Sequence, residues 1–263
     1  DQLGAETPQA RIDVVVRAVP FNSGFLSTLL QRIEADKTPE ELVPQEIVFT
    51  PSELAKIFQA ILAVQLPEPV MDRLGFFLGQ LDFCRQASPQ FEAKSKDTLK
   101  LVGQSVATVC NEQCPLDKKV HLCTQTENGV SARAYQTCLH FAKALAYFRG
   151  HAEVEPEDLR QIVPWVLHEK LVPNARSPFF EAKGKRALLQ DRVAWIRNMF
   201  DTAMEQLPKH EPTRKKGTAL RRELDQGLEG VDLKTTEKRL GSVTALLEQL
   251  MTKSELSGPA YED

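Results

Sequence analysis

No apolar run in this 263-residue chain approaches the ~18–20 residues that cross a bilayer. No basic-then-apolar leader opens it either, so the sequence points away from membrane insertion and secretion. No stretch reads G-x-x-x-x-G-K-S/T, which excludes a phosphate-cradling loop within these residues. No H-E-x-x-H pattern or Ser-His-Asp arrangement is visible, so a self-contained hydrolytic site is not expected. A basic excess is missing as well: the formal net charge is -3, where nucleic-acid binders present a basic face. The run Arg214-Lys215-Lys216 with Arg221-Arg222 lacks interleaved aromatics and reads as a solvated face. Five cysteines make no even disulfide framework, and a reducing cytoplasm is the expected compartment. The chain starts at Asp1 without a methionine, so it is expected to be processed or a piece of something longer. Repeats at solenoid periods are absent.

What is present is amphipathic helix. A hydrophobic content of 42% suffices for real cores, and the length suits one or two domains. Arg11 to Val19 (RIDVVVRAV) is β-branched and reads as one buried strand ended by Pro20. It has no convincing partner. A lone strand leaves its backbone polar groups unsatisfied, so it pairs with a sheet outside this chain or is not a strand. Phe25 to Ile33 reads as a short helix. Thr50-Pro51-Ser52-Glu53 is a strong helix start, with Thr50 as cap and Glu53 reaching back to it. Leu54, Ile57, Phe58, Ile61 and Leu62 then share one face. After Pro67-Glu68-Pro69, a second stripe holds Val70, Leu74, Phe77, Leu78 and Leu81. A third helix is expected over about Ala93 to Val109.

A polar, cysteine-bearing loop follows over 110–129. Ser131 to Arg149 reads as a helix with Ala134, Cys138, Phe141, Leu145 and Phe148 on one face. Arg149-Gly150 ends it, glycine suiting the left-handed position. Glu155-Pro156-Glu157-Asp158 opens the next helix with acidic groups at its positive end. Its stripe is Leu159, Ile162, Val163 and Val166. From about Ser177 apolar positions fall on heptads: Leu189, Val193, Ile196, Phe200, Ala203 and Leu207, then Leu233, Thr236, Leu240, Val243, Leu247 and Leu250. A turn or linker is expected around Pro208 to Gly217, and a frayed tail after Ser257.

Residues 11–171 resemble the MoxR/RavA group of AAA+ ATPases. The residues that carry this are RIDVVVRAV, PEELVP, SELAKIFQAI, LPEPVMDRLGFFLGQL and the lid signature VSARAYQTCLHFAKALAYFRGHAEVEPEDLRQIVPWVL. Ala10 stands where the family has an aspartate before the arginine of the turn, the cysteine loop is not a family feature, and nothing carries over after about residue 175. The resemblance implies a mainly α chain: a helical AAA+ lid preceded by one residual core strand and followed by a long-helix hairpin or coiled-coil arm. The expected divisions are 1–49, the end of the AAA+ core; 50–173, the lid; and 174–256, the arm. It also implies an intact enzyme that binds ATP and Mg2+ and hydrolyses ATP in a ring. That enzyme would remodel or activate partner protein complexes, often with a von Willebrand factor A partner. This chain alone should hydrolyse nothing.

Three sets of residues stand as candidates. By the resemblance, Arg133 is the lid arginine that reaches the terminal phosphates, a task suited to an always-charged, fork-shaped donor; the plain alternative is a surface arginine. Arg11 is a candidate arginine finger for a ring neighbour, or an arginine at a strand edge. Cys110, Cys114, His121 and Cys123 offer three thiolates and an imidazole, a set zinc favours, or are simply buried thiols, as Cys84 and Cys138 read to be. The competing functional reading is a non-enzymatic helical scaffold or adaptor with a structural Zn2+ loop.

Overall fold

Capping chemistry sets most of the helix starts. The computed structural model describes residues 12–16, 22–34, 43–82, 84, 95–96, 99, 102–110, 112, 114, 117–119, 121–227 and 230–252. After a short turn, α1 (Leu26–Glu34) presents Leu26, Leu29, Leu30 and Ile33 to solvent. Helix α2 (Pro51–Ala63) begins with the expected box: the Thr50 amide donates to Glu53 Oε2 at 2.8 Å, and the Glu53 amide donates to Thr50 Oγ1 at 3.3 Å. Helix α3 (Glu68–Asp82) buries Val70, Leu74, Phe77, Leu78 and Leu81, the stripe expected of it, together with Phe76.

The expected helix to Val109 is interrupted. Gly103 takes φ 71, and the Gln104 amide turns back to the Leu99 carbonyl at 2.9 Å. A left-handed residue there cannot continue a helix, and α4 (Val106–Val109) starts beyond it. Residues 12–16, the described part of the expected strand, carry no β-pairing. No neighbouring strand is there among the described residues to accept its hydrogen bonds.

Helices α5 (Ala132–Arg149) and α6 (Pro156–Leu167) form the central pair. Ser131 caps α5 through the Ala134 amide, and Gly150 at φ 76 ends it, with the His151 amide reaching the Ala146 carbonyl at 2.9 Å. The buried face differs from the one expected. Phe141 and Phe148 are exposed, and the buried line is Ala134, Cys138, Ala142 and Ala146. A stripe of small side chains at four-residue spacing lets the two helix axes approach, which bulky aromatics would prevent. Asp158, fully buried, binds the pair together: Arg149 Nη1 donates to its Oδ1 at 2.6 Å, and the Glu155 amide donates to its Oδ2 at 2.9 Å.

After the one-turn α7 (Pro178–Glu181), helix α8 (Arg192–Asp225) runs unbroken through Pro208 and Pro212. The linker expected there is helix. Each internal proline costs an isolated helix about 3 kcal/mol, and packing against α3 offsets this. Leu207 abuts the core, Phe76 stacks near His210, and Arg214 and Arg222 reach Asp72 and Glu68. The first half of α8 buries Trp195, Ile196, Met199, Phe200 and Ala203 in the same core as Leu74, Leu159 and Val163. The boundary expected at 174 therefore falls inside a shared core. Helix α9 (Leu233–Thr252) folds back on α8 as the anticipated long-helix hairpin.

Candidate functional site

Ser131 and the Val130–Gly129 approach place the start of α5 at the surface, and Arg133 stands exposed in its first turn. First-turn amides of a helix carry partial positive charge, so the position favours anions even without a side chain. Arg133 lines a cavity of about 430 Å³ with Asp13, Gln136, Thr137, His140 and Phe141. The anion in that cleft comes from the chain itself. Thr137 Oγ1 donates to Asp13 Oδ1 at 2.9 Å, and Arg133 Nε lies 3.8 Å from the same oxygen. Lys170 Nζ donates to the Ile12 carbonyl at 2.5 Å and holds this segment across the helix.

A second cleft, about 570 Å³, also carries an arginine. There Arg160 donates from Nε and Nη2 to the two Asp201 oxygens at 2.7 and 2.9 Å. Those hydrogen bonds, with the Asp201 charge, hold its guanidinium proton well above the usual range. Arg160 is thus committed to clamping α6 onto α8. Arg133 is in one long, solvent-screened pair and keeps most of its donor fork available.

Arg11 lies outside the described residues. The cysteine set is only partly gathered. Cys110 follows α4, His121 precedes the 3-10 turn Leu122–Gln125, and Cys123 lies within that turn. None of the five cysteines is in a disulfide. Among the described residues, no three His, Cys, Asp or Glu side chains are arranged to hold a metal ion, so the proposed ligands do not form a ready-made centre. Protonated thiols pack as small neutral groups, and nothing draws them together. Burial pushes the Cys123 thiol up to about 12 and raises Cys110 as well.

Sequence reasoning missed three residues. Asp13 was absorbed into the strand pattern. Cys84 looked like one more apolar position. Lys96 carried no motif, yet it is fully buried, with Nζ donating to the Thr126 carbonyl at 3.0 Å and to the Thr126 hydroxyl. Burial pulls its pKa down to about 8, against the opposing pull of Cys123, Cys84, Asp82 and Cys110. Lys94, Asp97 and Lys100 stand around it in the sequence, so no local pattern singles it out.

No helix among the described residues is long and apolar enough to cross a membrane. Neither the curated proteins nor the solved structures give a match to this chain. Residues 119–192, from the end of the cysteine loop through α5, α6 and α7 to the first residue of α8, match the family described as the AAA lid domain, and in that region the chain is similar to the carboxy-terminal lid of AAA+ ATPases.

Proposed function

We propose that this chain is the lid-bearing part of a MoxR/RavA-type AAA+ ATPase, with Arg133 as its phosphate-reading residue. The observation that carries the reading is Arg133 itself: an exposed guanidinium at the positive end of α5, facing a cleft, inside the segment that matches the AAA lid. In the intact enzyme, ATP and Mg2+ would sit between a nucleotide-binding body and this cleft. A bidentate guanidinium binds paired phosphate oxygens more tightly than one carboxylate oxygen 3.8 Å away. Loss of the γ-phosphate would return Arg133 to Asp13 and shift the lid between two positions, which requires that the two nucleotide states differ in their contacts with it. Neighbours in a ring would share sites, with Arg11 as the residue reaching across. The exposed apolar faces of α1 and α2, including Leu26, Leu30, Leu54 and Phe58, would lie against the nucleotide-binding body. The work done would be remodelling or activation of partner proteins in the cytoplasm, a von Willebrand factor A protein among them.

Arg133→Ala in the intact ATPase should lower ATP turnover by about 10- to 1,000-fold, the range for losing one charge-stabilising group, while leaving the melting temperature of the lid nearly unchanged. Unaltered turnover in a folded variant removes Arg133 from the mechanism and the reading with it.

A further inference from the structure

Asp13 enters the Arg133 cleft on a segment held by side-chain contacts rather than by backbone pairing. Residues 12–16 carry no β-pairing among the described residues, yet residues 12, 13 and 14 are each pinned. Lys170 Nζ donates to the Ile12 carbonyl at 2.5 Å, the Thr137 hydroxyl donates to Asp13 Oδ1 at 2.9 Å, and Val14 packs against the main core. Thr137 lies on α5 and Lys170 lies beyond the end of α6, so the segment straps the two together.

Its carboxylate takes the position that a phosphate oxygen needs. Carboxylate and phosphate oxygens accept from the same donors, here a guanidinium and a hydroxyl, and two anions sharing one position repel. Arg133 Nε lies 3.8 Å from Asp13 Oδ1, and Asp13 itself lines the cavity of about 430 Å³. The strap can also leave without stranding a buried group. Thr137 is only 5% exposed, but its hydroxyl has a second acceptor, the Arg133 carbonyl one turn back at 2.9 Å. The Asp13 carboxylate is half-exposed and returns to water at little cost. We propose that residues 12–14 are an autoinhibitory strap: Asp13 fills the anion position beside Arg133, and a polyphosphate engages Arg133 only by displacing it. That role rests on the phosphate-binding reading of Arg133 and adds a control to the same site. The same contacts could instead hold Arg133 in place for its ligand, and the two roles have opposite signs. Removing the charge of an inhibitor strengthens phosphate binding, whereas removing a positioning residue weakens it.

The test uses the whole 263-residue chain with inorganic triphosphate as the probe, in magnesium-free buffer at constant ionic strength. Calorimetric titration gives the affinity, and hydrogen exchange over residues 12–16 follows the strap. Asp13→Asn keeps the size of the side chain and an oxygen for Thr137 but loses the charge, and should bind triphosphate about tenfold more tightly than the native chain. Arg133→Ala should bind at least roughly tenfold more weakly. Lys170→Met cuts the other anchor, outside the cleft; it should tighten binding by about two- to threefold, although loss of a nearby positive charge alone would weaken it. In the native chain, triphosphate should speed exchange over residues 12–16. If Asp13→Asn does not fold, Lys170→Met and the exchange of the native chain decide. Unchanged or weaker binding by Asp13→Asn, with Arg133→Ala still impaired, overturns the strap and leaves the Arg133 reading standing. Exchange over residues 12–16 that triphosphate does not alter also overturns the strap. Equal binding by Arg133→Ala and the native chain overturns the Arg133 reading, and the strap falls with it.

Discussion

The α5–α6 hairpin and the α8–α9 hairpin are both antiparallel helical pairs joined by turns with positive-φ glycines, yet they bury their apolar residues to different degrees. In α5–α6 the contact line is Ala134, Cys138, Ala142 and Ala146, each 0–1% exposed, and a fully buried Asp158 with Arg149 locks the ends. In α8–α9 the heptad leucines Leu233, Leu240 and Leu247 remain 75%, 66% and 41% exposed, and of the α9 seam only Leu250 is buried. Helix α8 itself shows both behaviours, its first half in the core and its second half mostly half-buried or exposed, with Thr213 buried. Regular apolar spacing therefore sets which face can pack. What buries it is the presence of other elements around it: α6 has α5, α8 and α3 about it, whereas α9 has α8.

Substitutions can break or sharpen this contrast. The largest effect is expected at Trp195, fully buried with Nε1 donating to Gln125 Oε1 at 3.1 Å. Trp195→Ala should cost about 3–5 kcal/mol in urea unfolding; a cost near zero would mean that α8 is an independent arm after all. Next is the small-residue contact line. Ala142→Leu should destabilise by about 1–3 kcal/mol, because the added carbons must push α5 off its neighbour; tolerance would show that the pair is loosely packed. Smallest is Leu240→Ala on the open face of α9, expected to shift unfolding by less than about 0.5 kcal/mol. A loss above about 2 kcal/mol there would reveal a partner covering that face.

Local chemistry made much of the helical layout legible. The Thr50–Glu53 box, the Gly150 stop and the Pro156 start are each decided by a few adjacent residues and stand where expected; the Ser131 cap is equally local. The break at Gly103 was legible in principle but was masked by apolar residues on both sides. The continuity of α8 was not legible, since two prolines argue for a break and only contacts with α3 argue against one. At the candidate site, Arg133 was singled out by the resemblance of its surroundings to a lid signature. Asp13 was not, because a residue 120 positions away becomes its partner only after α5 and α6 are assembled. Cys84 and Lys96 were hidden for the same reason.

By itself the sequence determined where helices begin and end, and that Arg133 would stand in the first turn of one of them, because capping and periodicity act over three or four neighbouring residues. The tertiary structure alone decided which face of α5 is buried, that the first half of α8 shares the core of α3, α5 and α6, and which charges meet at Arg133 and Lys96. Those outcomes depend on close packing and on burial of charge, and both are properties of residues distant in the chain and adjacent in space.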